Sequence, residues 1–223
     1  MNRLSAQRLW ASTGALAIAL FAAGLLFGDL IASTNYPRLD APPADVREYF
    51  LRNPHDVRAL AFFHVLSGLA LLGFITYLQM WLRRLDQRSA RLAPVALAGG
   101  VTAAVFLLLS ALVYRVLAEP AVAVDPALNH ALLVASYLAG GPGIAVPLAL
   151  PVMAGSVTAF RRGLLPAWLG WLGTGAVAAC VLSAGILLGP MSNSSFFYGV
   201  LLVAAILSLV WVFATSVMLA GGA

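Results

Sequence analysis

The sequence predicts an all-α integral membrane protein, a six-transmembrane-helix bundle with a short amphipathic surface helix in its first outer loop. Three observations carry that expectation. Six stretches are apolar over the ~20 residues that a helix needs to cross the hydrocarbon core. Hydrophobic residues make up 62% and charged residues 9% of the chain, against about 25% charged in soluble domains. The thirteen basic residues, all Arg, gather at the ends of the apolar stretches and between them, where cations anchor and orient helices.

The first span, Leu9–Ser33, follows Arg3 and Arg8. Its apolar run is too long for a signal-peptide core and no A-x-A site follows it, so a retained transmembrane helix is expected. Gly24-Leu25-Leu26-Phe27-Gly28 within it is a GxxxG packing motif. In the loop from Thr34 to Asp56, Pro42 and Pro43 suit the first turn of a helix. Val46, Tyr49 and Phe50 follow at i, i+3 and i+4, one apolar stripe among charges. This spacing predicts a helix over Ala44–Leu51, lying on the outer membrane surface or capping the bundle. Asn53-Pro54-His55-Asp56 then reads as the start of the second span, with Asn53 as N-cap.

The second and third spans are Val57–Leu82 and Leu92–Leu117. Asp125-Pro126 repeats the cap-and-proline device before the fourth, Pro126–Phe160. That span holds Gly140-Gly141-Pro142-Gly143, Pro147 and Pro151. Each proline removes a backbone donor and frees a carbonyl four residues earlier, so a kink or break is expected. Leu164–Leu188 and Phe196–Ala220 complete the six, and residues 1–223 read as a single membrane domain.

With the N-terminus in the cytoplasm, the inner side receives eight Arg and one acid, and the outer side five Arg and seven acids. This matches the positive-inside rule and predicts a bacterial inner (plasma) membrane protein with N- and C-termini cytoplasmic. Trp10, Trp81, Trp168 and Trp171 would form an inner aromatic belt; Phe196, Phe197 and Tyr198 would join the outer one. With the arginines so placed, no nucleic acid is expected as a partner. The lipid bilayer is the expected partner, with a partner membrane subunit or homo-oligomer as further candidates. The lack of Lys excludes Schiff-base chemistry, and the lone Cys180 excludes an intrachain disulfide.

One segment carries a resemblance: Arg161-Arg162-Gly163-Leu164-Leu165-Pro166-Ala167-Trp168-Leu169-Gly170-Trp171-Leu172-Gly173. Together with Ala41-Pro42-Pro43, Tyr49-Phe50 and Leu82-Arg83-Arg84-Leu85, it resembles a broad actinobacterial family of six-span membrane proteins of unknown function. The resemblance implies the fold. It brings no activity with it.

Ionisable residues inside spans are functional candidates because they are costly there. Asp29 lies roughly 6 Å inside the outer end of span one, and His64 roughly 9 Å deep in span two. Tyr114, Arg115 and Glu119 end span three on the same side, with Arg115 and Glu119 spaced to pair with each other. His130 opens span four and Tyr137, seven residues on, shares its face. These seven residues are expected to line one outward-facing polar pocket for a small ligand, lipid or partner subunit.

The alternative is a haem- or metal-binding redox protein or enzyme using His64 and His130 as ligands of haem or of a transition metal, with Asp29 or Glu119 completing a metal set. No complete catalytic motif is present, so a binding role is expected ahead of an enzymatic one. Asp29–His64 is the sole candidate acid–base pair. No similarity between the two three-span halves points to an inverted-repeat transporter.

Overall fold

Most of the described helices start or stop at a proline, a glycine or an Asp cap. The computed structural model describes residues 3–33, 36–188 and 195–222, and has no strand among them. Helix α1 (Arg3–Leu25) runs into a π-helical turn, Leu26–Ile31. Then come α2 (Pro43–Arg52), α3 (Pro54–Arg84), α4 (Gln87–Leu117), α5 (Pro120–Ala123) and α6 (Pro126–Gly140). Helices α7 (Pro142–Arg162), α8 (Ala167–Ser183) with a 3₁₀ turn at Ala184–Leu188, and α9 (Ser195–Gly221) follow. Six stretches are long and apolar enough to cross a membrane, and their bounds fall within a few residues of those predicted, except that span one stops at Gly28.

The spans form a closed ring. Helix α1 packs on α3, α3 on α4, α4 on α7, α7 on α8, α8 on α9, and α9 returns to α1. Hydroxyls stitch the seams: Ser67 Oγ donates to the Ala17 carbonyl (2.8 Å), and Ser216 Oγ donates to that of Ala11 (2.6 Å) while accepting from Ala15 N–H (2.8 Å). The GxxxG motif serves the α1–α3 contact within the chain: Gly28 faces Leu60, and Gly24 leaves room for the ring of His64. An apolar core including Phe74, Leu78, Val152, Leu169 and Trp211 fills the half of the bundle away from α2.

Span four breaks as its prolines require. Helix α6 ends and α7 begins around Gly141, whose φ and ψ of −95° and −101° are not helical. The carbonyls that the prolines free find glycines. Pro142 strips the Leu138 oxygen of its N–H partner, and that oxygen lies 2.9 Å from where a Cβ on Gly143 would stand. Pro151 does the same to the Pro147 oxygen, which rests on Gly99 of α4.

Helix α2 caps the bundle rather than floating on it. Its stripe of Val46, Tyr49 and Phe50 is 0%, 2% and 1% exposed and packs with Leu39, Leu117 and Leu133. Burying a side chain of this kind is worth about 1.5–3 kcal/mol, which is what holds a ten-residue helix too short to persist alone. The capping is also polar. The last carbonyls of a helix lack intrahelical partners, and the Tyr49 hydroxyl donates to the Gly28 carbonyl in the π turn.

Asn53 corrects the sequence reading. It occupies the position before Pro54, but its side chain makes no cap bond to α3. Its Oδ1 instead accepts from Ser33 N–H (2.9 Å) and Ser33 Oγ (2.7 Å), and Nδ2 donates to the Tyr49 carbonyl (3.0 Å). Asp125 does cap α6, accepting from the N–H groups of Ala127 and Leu128. Asn53→Ala is therefore expected to destabilise the fold by about 1–3 kcal/mol, the range for stranding buried polar groups. A detergent thermal melt checks this, and an unchanged midpoint would show the Asn53 bridge to be idle.

Candidate functional site

A cavity of about 690 Å³ lies inside the ring, between α1, α3, α4, α6, α7 and α9. Most of its wall is apolar: Phe21, Leu60, Leu71, Leu107, Ile144, Leu148 and residues of α9 from Leu201 to Val212. The wall also includes Leu25, Leu202 and Ile206, which are 47%, 62% and 51% exposed. The cavity thus communicates sideways with the surface along the seam between α1 and α9, which meet firmly at Ser216 and diverge towards α2.

The polar groups gather towards the α2 end. His64 of α3 is 4% exposed, and its ring stacks on Phe21 (centroids 4.7 Å apart, planes 9°) with Tyr114 at 6.1 Å. The Phe21 backbone approaches the imidazole, yet neither ring nitrogen has a hydrogen bond of ordinary geometry among the described residues. Tyr36, from the segment after the π turn, and Tyr198, from the first turn of α9, also bury hydroxyls without partners among the described residues. Tyr114 and Tyr137 complete the group, with the Tyr137 and Tyr198 rings perpendicular at 6.0 Å. Burial, and after it the charge and hydroxyl of Tyr114, hold the Tyr36 phenol well above the usual tyrosine value, so it stays neutral at physiological pH.

Of the residues proposed from sequence, His64, Tyr114 and Tyr137 line this cavity. Arg115 and Glu119 lie outside it, half-exposed and ion-paired with each other, with Arg58 Nη2 3.8 Å from the same carboxylate oxygen. The Arg115 hydrogen bond, and then its charge, holds the Glu119 carboxyl below the usual range; exposed pairs of this kind add little stability. His130 does not line the cavity; it stands behind the wall, where its Nε2 bonds the carbonyl of the lining residue Leu39 (3.1 Å). Asp29 falls in the π turn, with its side chain outside the described residues. His64 and His130 therefore face different surroundings, and no cluster of three or more His, Cys, Asp or Glu suited to a metal occurs among the described residues.

The cavity is accordingly more apolar than the sequence implied, with polarity confined to one end. Two of its polar residues were not anticipated there. Tyr36 sits in a loop with no periodicity to betray it, and Tyr198 was assigned to the outer aromatic belt. The one usable signal for Tyr198 was its spacing from Leu201 and Ala205, at i+3 and i+7 on one helical face.

The family model for a domain of unknown function, DUF4386, matches residues 12–217, which reach from the first span into the last. The chain belongs to the DUF4386 family. No curated protein and no solved structure matches this DUF4386 chain. As a DUF4386 member it is a membrane-spanning helical protein, and its apolar outer faces suit contact with lipid. The cavity is the feature of this DUF4386 chain that most calls for a chemical explanation.

Proposed function

We propose that this DUF4386 protein binds an amphiphile, a lipid or lipid-like small molecule, taken from the bilayer into the central cavity between α1 and α9. The observation that supports this is the apolar cavity itself, whose wall runs out to exposed leucines and isoleucine on two membrane-spanning helices. Pockets of roughly 300–1,000 Å³ with few, placed polar groups are typical of small-molecule sites. An apolar molecule dissolved in lipid reaches such a site sideways without crossing water.

A binding role accounts for the residues better than an enzymatic one. The Ser67 and Ser110 hydroxyls that line the cavity donate to the backbone carbonyls of Ala17 (2.8 Å) and Ser136 (3.0 Å). They serve helix packing, and their protons are given to main-chain carbonyls rather than to a base that would activate a nucleophile. The charge asymmetry of the loops supports the plasma membrane with both termini cytoplasmic, which places the α2 end outside.

The test is native mass spectrometry of the protein released from mild detergent, alongside Ala205→Trp. Ala205 is half-buried on the cavity face of α9, and an indole there fills the seam. The native chain is expected to carry a lipid-sized adduct that the variant lacks. Equal adduct occupancy in both proteins would refute the cavity as the binding place.

A further inference from the structure

The head group of that amphiphile has to meet the polar end of the cavity. Five polar side chains converge there from five parts of the chain: Tyr36 from the loop after α1, His64 from α3, Tyr114 from α4, Tyr137 from α6 and Tyr198 from α9. Three of them, His64, Tyr36 and Tyr198, bury polar atoms that make no hydrogen bond of ordinary geometry among the described residues, although the Phe21 backbone approaches the imidazole and the Tyr114 hydroxyl approaches Tyr36. Buried polar groups in proteins are nearly always satisfied, so three unsatisfied ones around a single cavity mark the place of an absent partner.

The chemistry of the five is uniform. A phenol donates one hydrogen bond and accepts others, and a neutral imidazole donates from one nitrogen and accepts at the other. Tyr36 is held neutral by its burial. The charged residues on the cavity wall are Arg38 and Asp40, which stand at the rim, 77% and 51% exposed, and pair with each other at 3.4 Å. A phosphate or ammonium drawn in among the tyrosines would lose its water and meet no counter-ion among the described side chains around them, and burying an unpaired charge is prohibitive. A carbonyl oxygen would meet phenolic O–H and imidazole N–H donors directly.

The rings add shape. His64 and Phe21 already stack in parallel, Tyr114 stands at their edge, and Tyr137 and Tyr198 form a perpendicular pair. Offset-stacked and edge-to-face contacts of this sort favour flat, unsaturated partners.

Resting on the amphiphile reading above, we infer that the His64–tyrosine end of the cavity recognises an uncharged, carbonyl-bearing head group carried on one apolar tail. A quinone-type ring and a neutral ester lipid share that chemistry.

Isothermal titration calorimetry on the full chain in nanodiscs, blanked against empty discs, tests this with four probes. Decyl-benzoquinone and glycerol monooleate supply ring and ester carbonyls; dodecyl phosphate and dodecyltrimethylammonium supply the two signs of charge. The neutral probes are expected to bind at least roughly tenfold more tightly than the charged ones, and the tighter neutral probe identifies the source. His64→Leu is expected to weaken the neutral probes by roughly tenfold, as loss of one buried hydrogen bond implies. His64→Gln, which keeps a donor, is expected to recover part of that.

Tyr198→Phe removes a single hydroxyl with little risk to folding and is expected to weaken the same probes by roughly two- to tenfold. Charged probes binding as tightly as neutral ones, or neutral affinity unmoved in both His64→Leu and Tyr198→Phe, would overturn the head-group inference while loss of binding in Ala205→Trp keeps the cavity reading. Failure of all four probes to bind the native chain would overturn both.

Discussion

Gly99→Ala is expected to destabilise the bundle through a clash with main chain, which no rotamer change relieves. A Cβ at Gly99 would run into the Pro147 carbonyl oxygen and stand 2.6 Å from Leu150 Cβ. The oxygen is main chain and has no rotamer through which to retreat. It is also there for a reason: Pro151 denies it an intrahelical partner, and a Gly99 Cα hydrogen directed at it offers a weak substitute contact. Alanine would remove that contact and wedge α4 from α7 at the same point. Overpacking of this type costs about 1–3 kcal/mol and sometimes more.

Gly199→Ala is the matched comparison, since nothing lies within 4 Å of the added methyl. There, alanine's better helix propensity, up to about 1 kcal/mol, should leave stability unchanged or slightly raised. Parallel thermal melts in one detergent decide the matter. Equal midpoints for the two variants would mean that α4 and α7 do not meet through Gly99.

His64→Leu should have the opposite sign in the empty protein. The imidazole is 4% exposed with neither nitrogen bonded among the described residues, and stranding a buried polar group costs about 1–3 kcal/mol. Leucine is apolar, of comparable size, and keeps most of the contact with Phe21. A higher melting temperature is therefore expected. Saturating neutral amphiphile should narrow that difference by about 1.4 kcal/mol, because the tenfold weaker binding expected of the variant limits how much more the ligand can add to the native chain. A lower melting temperature for the empty His64→Leu protein would mean that the imidazole is satisfied, and that it belongs to the packing rather than to a site. Stability set aside in this manner is a common signature of function.

The six spans were legible because length and hydropathy alone define a crossing, and the break in span four because Gly141-Pro142 ends one helix and starts the next. Pro147 and Pro151, where a kink or break was expected as well, lie inside the unbroken α7. The π turn was not legible. Nothing local in Leu26–Ile31 demands it, and Tyr49 arrives at Gly28 from twenty-one residues away. Asn53 misled for a related reason: its local pattern is that of a cap, but two donors on Ser33 outbid the local ones.

The site was half legible. Helical rise fixes depth, and depth joined His64, Tyr114 and Tyr137, which line one cavity. It says nothing about azimuth. Arg115 follows Tyr114 by one residue, about 100° around the helix, and so points away from the cavity that Tyr114 lines. His130 and Tyr137 do share a face, yet two turns separate them, and Leu39, whose carbonyl His130 bonds, lines the cavity in its place.

The seam between α1 and α9 has a bearing on biogenesis. Of the six crossings, α9 is made last and α1 first, and they close on each other through Ser216 and Ala11. While the intervening spans enter the bilayer one by one, the face that carries His64 remains open to the surrounding lipid. The wall is completed only when the final helix leaves the insertion machinery and docks. A molecule resting against Phe21 and His64 at that moment would be enclosed by the act of assembly, so the seam proposed to admit a ligand in the mature protein would also close around one at its birth.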